Sequence, residues 1–127
     1  MALTQVVDVT RRLVINVASG MVNIQELLDN QQALRNDPAF EGSFRSLFDM
    51  RRIVDIDLSG EDLRALAQGS PFNAGIRRAY VVTSRAQLGA TRLYQAILNA
   101  DRSTYKIFEN YDEAVAWLDS EEGAEQR

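Results

Sequence analysis

The chain has 127 residues, a net charge of −4, a sequence pI of 4.8, and neither cysteine nor histidine. The length fits one domain with a real core, and the acidic balance argues against a nucleic-acid module, which carries a basic face. Without thiol or imidazole, Ser-His-Asp, Cys-His and zinc-hydrolase mechanisms are excluded, and no disulfide can form.

The N-terminus lacks the basic and apolar regions of a signal peptide, and no apolar run approaches the roughly 18 residues of a membrane span, so a cytoplasmic protein is expected. Residues 4–9 and 12–18 are rich in β-branched side chains. They read as two strands of a hairpin turned at Thr10-Arg11, or as one long bent strand. Gly20 punctuates, and Asn23 opens a helix with Ile24, Leu27, Leu28 and Leu34 on one face. Asp37-Pro38 ends it, because proline disfavours the α region in the residue before it.

Phe44–Met50 is a strand, followed by a polar loop of alternating charge from Arg51 to Asp57. A short helix then points Leu63, Leu66 and Ala67 inward and stops at Gly69-Ser70-Pro71. Ile76–Thr83 is a strongly apolar strand, Ala86–Ala100 the third helix, Tyr105–Phe108 the last strand. The final helix buries Tyr111, Ala114, Val115 and Leu118 with Trp117 beside them. Residues 120–127 form an acidic solvated tail, leaving 1–119 as the domain.

Each helix is announced by the same signal. Asn23–Glu26, Ser59–Asp62, Ser84–Gln87 and Asn110–Glu113 pair a capping side chain with a residue three positions on that can reach back to it. Of the four, Asp62 is the shortest reach. Strands alternating with helices imply parallel pairing by right-handed crossovers. With an opening hairpin, the expectation is a single-domain α/β fold: a mixed, mostly parallel five-stranded sheet with four helices.

The closing segment, Tyr105-Lys-Ile-Phe-Glu-Asn-Tyr-Asp-Glu-Ala-Val-Ala-Trp-Leu118, resembles the end of the SpoIIAA-like family, within the STAS-like group, through its aromatic strand end and Glu-Ala-x-x-Trp-Leu helix. The order of elements fits from the opening strands through Ala18-Ser19-Gly20 to Leu118. STAS-domain antagonists carry an Asp-Ser-Ser-Gly turn whose second serine is phosphorylated, a few residues after a strand ending in an apolar-Asp pair. Phe48-Asp49 and then Asp57-Leu58-Ser59-Gly60 stand at a similar distance here. The resemblance therefore implies Ser59 as phospho-acceptor, Asp57 as the acid and Gly60 as the glycine, with Leu58 in place of the first serine. It also implies apolar-ligand and membrane-surface association as an alternative to protein contact.

Several features compete for a function. Ser59 serves equally as a plain N-cap and as a phosphoserine, because a dianion gains from the same free N–H groups. Asp55-x-Asp57-x-Ser59-Gly60 copies the first half of an EF-hand loop, but Leu66 stands where its bidentate glutamate belongs, so no calcium site is expected. The third helix has Arg92 as its only charge over Ala86–Ala100. Leu93, Ile97, Ala90, Tyr94 and Leu98 form its apolar arc, Gly89, Ala96 and Ala100 a small-residue flank, and Leu88 sits with Arg92, Gln95 and Asn99 on the water side. Leu88, Gly89, Arg92 and Ala96 are thus the candidate surface for a partner, a second copy or a lipid. Phe40, Phe44, Phe48 and Phe72 either close core edges or line a pocket, and Tyr80 and Tyr94 have no evident partner. Asp49, Asp55 and Asp57 are the only clustered acids for a small enzyme, with no cofactor implied. The sequence thus points to a non-catalytic module acting by protein–protein contact, with lipid binding as the alternative.

Overall fold

The two opening β-runs pair as a hairpin in the computed structural model, which describes residues 2–120. Strand β1 (Ala2–Asp8) runs antiparallel to β2 (Leu13–Val22). Their loop spans residues 9–12 rather than Thr10-Arg11 alone. Arg12 closes it in the left-handed region at φ 53°, its N–H donating to Val9 O at 3.2 Å. That conformation is uncommon outside glycine. Here the Arg12 guanidinium holds it, donating to Ser43 Oγ at 2.6 Å and lying 5.0 Å from the centre of the Phe44 ring.

Helix α1 (Ile24–Arg35) crosses to β3 (Arg45–Ile56), α2 (Gly60–Gln68) to β4 (Arg78–Val81), and α3 (Arg85–Leu98) to β5 (Tyr105–Phe108). Helix α4 (Tyr111–Asp119) follows. The described residues thus form five strands and four helices, in the sheet order β1-β2-β3-β4-β5 with every pair after the first parallel. Successive right-handed crossovers stepping in one direction leave α1, α2 and α3 on one face. Helix α4 packs on the other, where Ala114 and Leu118 meet Leu13, Leu47, Ala79 and Val81. The intervening positions, among them Tyr80, Val82 and Tyr105, face the three-helix side with Leu27, Leu63 and Leu66. The period-two alternation of the strands therefore feeds two cores.

All four caps form. Each capping oxygen accepts from the N–H three residues on: Asn23 from Glu26, Ser59 from Asp62, Ser84 from Gln87, Asn110 from Glu113. Asp62, expected to reach back least well, completes a reciprocal box by accepting from Ser59 N–H at 2.9 Å. Gln87 instead takes Thr83 N–H at 2.8 Å, and Glu26 meets the Asn23 amide at 3.1 Å.

Two expectations fail in one place. Gly20 does not end β2, and Arg51 to Asp57 is not a loop. Gly20, at φ 77°, sits at a register shift that lets β2 run on to Val22, opposite β3 as far as Ile56. Backbone pairing makes the strand, and the polar side chains record only that this stretch is exposed. Strand β4 pairs with β3 only from Ser46 to Asp49. Because β1 pairs with β2 only as far as Ser19, residues 20–22 and 53–56 run on beyond their neighbours as a two-stranded ribbon, whose inner side chains Val22 and Ile53 stay in the core.

The C-terminus of α4 is clamped by arginines. Arg77 Nη1 donates to the carbonyls of Trp117 and Ser120 at 2.6 and 2.7 Å, and Arg45 donates to those of Leu118 and Arg11. Cations at the negative end of a helix are favourable, and here they satisfy its orphan carbonyls. Ser120, assigned to the tail from sequence, is thus tied to Arg77, just before β4; residues 121–127 lie outside the described residues. No helix among the described residues is long and apolar enough to cross a membrane.

Candidate functional site

The projecting ribbon leads straight into the turn expected to carry regulation. Asp57 N–H donates to Val22 O at 3.0 Å, fixing the ribbon's end, and Ser59 caps α2 two residues later. Asp57 and Ser59 are exposed, and Gly60 is half-buried. Leu58, standing where a serine was expected, packs against the core. The Ser59 hydroxyl oxygen accepts from Asp62 N–H at 3.0 Å. A Cβ on Gly60 would meet nothing closer than Arg64 Nη1 at 3.9 Å, so the fold does not require glycine there.

The three acids do not assemble a catalytic centre. Asp49 is buried on the α4 side and held by Arg51, whose Nε and Nη2 reach its two oxygens at 2.9 and 2.8 Å while the guanidinium lies 4.6 Å from the centre of the Tyr111 ring. Burial alone would raise the Asp49 pKa, but the Arg51 bonds outweigh it and hold the carboxyl below the usual range. Asp55 lies within β3, so the EF-hand half-loop does not form. No group of three or more potential metal ligands occurs among the described residues.

Helix α3 keeps most of its apolar arc inward, with Tyr94, Ile97 and Leu98 packed on the core and Ala90 half-buried, but it is turned enough to lose Leu93. Its buried residues are Gln87 and Thr91, whereas Leu93 is 47% exposed and Leu88 half-buried. The polar pair wins because each finds partners inside. Gln87 Nε2 lies 3.4 Å from Ile53 O, Thr91 Oγ1 donates to Gln87 O at 3.0 Å, and Tyr105 Oη donates to Thr91 O at 2.6 Å. The exposed stripe consequently combines Gly89, Arg92, Leu93 and Ala96, so Leu88 and Leu93 exchange their expected roles. Because Gln87 reaches Ile53, the N-terminal half of α3 flanks the ribbon.

Between the sheet and α1–α3 lies a cavity of about 120 Å³. Phe48 and Phe72 line it, whereas Phe40 and Phe44 close the core edge beside Val14 and Leu34. Strand β4 contributes Arg78 and Tyr80 to its wall, and α3 contributes Tyr94. Tyr80 stacks on Tyr105 at 4.7 Å and lies 6.3 Å from Phe48, which supplies the partner its sequence context did not. Burial pushes the pKa of Tyr80, Tyr94 and Tyr105 upward, so all three stay neutral hydroxyls. Arg78 escapes an apolarity reading of Ile76–Thr83. The usable signal is its parity with Tyr80, which puts a cation on the inward face of a four-residue strand.

Two solved structures share this architecture. An uncharacterized protein of the DUF3478 family with a SpoIIAA-like fold, from Shewanella loihica PV-4, is 21% identical with a TM-score of 0.53, over 84% of this chain and 83% of that one. The anti-sigma factor antagonist SpoIIAA in its unphosphorylated form is 14% identical with a TM-score of 0.50, over 90% of this chain and 94% of that one. No family model matches the chain, and no curated protein matches it. The chain has the SpoIIAA-like fold.

Proposed function

We propose that this protein is a non-catalytic regulatory module that works by binding another protein through the ribbon, the start of α2 and the adjoining half of α3. The observation that carries the reading is Val54, 85% exposed on a projecting ribbon that runs directly into exposed Ser59. Scattered surface hydrophobics are ordinary. This one is the residue that the register shift at Gly20/Met21 leaves unpaired, held outward between paired Ile53 and Asp55, with Met21 (54% exposed) at the same end of the ribbon. We assign Gly89, Arg92 and Ala96, with half-buried Leu88 beside them, as the part of α3 that joins this contact, because a cation among small residues suits close approach of a partner backbone. A fold shared with an anti-sigma factor antagonist supports the protein-binding role.

Ser59 is the control point of this surface, with Asp57 and Gly60 beside it. A phosphate there stands next to Asp57, Glu61 and Asp62, so it adds charge to an already acidic turn and displaces Asp62 from Ser59 N–H. Modification therefore weakens the partner's binding, while the phosphate oxygens keep the acceptor role at the start of α2. Affinity capture from the source organism tests the reading. The unaltered chain should retain one protein, and Met21→Lys with Val54→Lys, or Ser59→Glu alone, should release it while the variants keep their cooperative unfolding. A partner retained equally by all of them contradicts the proposal. So does self-association, or binding to lipid vesicles, in place of a partner.

A further inference from the structure

Arg78 is a cation 8% exposed, and no carboxylate pairs with it among the described residues. Its neighbours are neutral: Ser70 Oγ lies 3.5 Å from Nη2, the Phe72 ring centre 5.4 Å from Cζ, and the hydroxyls of Tyr80 and Tyr94 stand beside it. Burying a charge without a counter-charge is costly, and proteins ordinarily pair it. Arg77, just before the strand, is equally buried and also lacks a carboxylate among the described residues, but it serves the fold: its Nη1 donates to two helix carbonyls and its guanidinium rests 5.2 Å from the centre of the Trp117 ring, with Nη2 left without a partner among those residues. Arg78 instead lines a cavity.

The rest of that wall is chiefly apolar, with Leu27, Leu63, Leu66 and Phe48 prominent. A small apolar space holding one cation and neutral hydroxyl donors complements a molecule with an anionic end and a hydrocarbon body. At about 120 Å³ the space is slightly smaller than the roughly 150 Å³ cavity that accepts benzene, which limits that body to fewer than six carbons.

We infer that the cavity between the sheet and α1–α3 is a binding site for a small apolar monocarboxylate, its carboxylate paired with Arg78. Arg78 supplies the planar fork that receives a carboxylate bidentately, and the Tyr80 and Tyr94 hydroxyls, held neutral, donate to the same oxygens. The site is independent of the protein-contact surface and stands or falls separately from it.

Titration calorimetry on the full chain, with hexanoate, hexanol, acetate and dodecanoate as probes, tests the assignment. Hexanoate should bind at least tenfold more tightly than hexanol, which lacks the charge, and than acetate, which lacks the body. Arg78→Met should abolish the preference for hexanoate over hexanol. Ala90→Leu, which fills the cavity from α3, should exclude both. Equal binding of hexanoate and hexanol, or no binding by either, overturns the inference on the unaltered protein, whether or not Arg78→Met folds. Tighter binding of dodecanoate than hexanoate assigns the space to a lipid acyl chain and contradicts the small ligand.

Discussion

Ser59 carries both a structural and a proposed regulatory role, and substitution separates them. Two bonds make the box: Asp62 N–H to Ser59 Oγ at 3.0 Å, and Ser59 N–H to Asp62 Oδ2 at 2.9 Å. Ser59→Ala removes the first and leaves the second, which places its cost near the usual ~1 kcal/mol for a lost N-cap. For a domain of this length, that corresponds to a fall in Tm of roughly 4 °C. Ser59→Asp restores an acceptor at the same place and adds a charge favourable to the helix dipole, so its stability should return to within about 0.5 kcal/mol of the original. Chemical denaturation followed by circular dichroism reads both. Partner binding should respond in the opposite sense: retained by the alanine variant, which keeps the surface neutral at that point, and weakened by the aspartate. The reasoning is refuted if Ser59→Ala costs nothing, or if Ser59→Asp is as unstable as the alanine variant.

Gly60→Ala should stabilise the chain by about 0.4–1 kcal/mol, because an added Cβ finds room and the unfolded chain loses freedom; destabilisation in the same denaturation assay would show a tighter turn than this one. Tyr80, Tyr94 and Tyr105 have folded pKa values above their unfolded value of 10.0. Their contribution is therefore fully present below pH 10 and is lost above it, at about 1.4 kcal/mol per pH unit for each. In an alkaline titration, tyrosinate absorbance from these three should appear together with unfolding, and its appearance in a still-folded protein would contradict their burial. Asp49 has the opposite sign: its depressed pKa stabilises the fold above 3.8, and that stability is lost as pH falls from there through the folded value. Asp49→Asn should flatten the acid limb of the stability profile, and an unchanged limb would argue against the Arg51 pair. Gln87→Leu should cost about 1–3 kcal/mol by unpairing Thr83 N–H and Ile53 O, and a neutral result in urea denaturation would mean that α3 can turn back to its apolar arc.

Local chemistry made much of this fold readable. A cap acts within three residues, so Asn23, Ser59, Ser84 and Asn110 could be identified without knowing what surrounds them. Strand–helix alternation then leaves few topologies, and the hairpin alternative for the opening strands agrees with the mixed sheet. The misreadings share a cause: each depended on a distant neighbour. Arg51–Ile56 is strand because β2 continues past Gly20 beside it, and no periodicity within the segment reports that. Helix α3 buries Gln87 and Thr91 rather than Leu93 because Ile53 and Tyr105 offer them partners. Arg78 acquires its meaning only when Tyr94, Phe72 and Ser70 close around it. The acids Asp49, Asp55 and Asp57 look clustered in sequence, yet Arg51 fills one, and another belongs to the ribbon.

Photo-crosslinking in the source organism tests the protein-contact reading most directly. A photoreactive phenylalanine analogue at position 54 should capture one protein, whereas the same analogue at position 6, exposed on edge strand β1 opposite Ile15 and away from the ribbon's end, should capture none. Capture from position 6 but not 54, or from neither, would contradict the assignment of this ribbon as the binding surface.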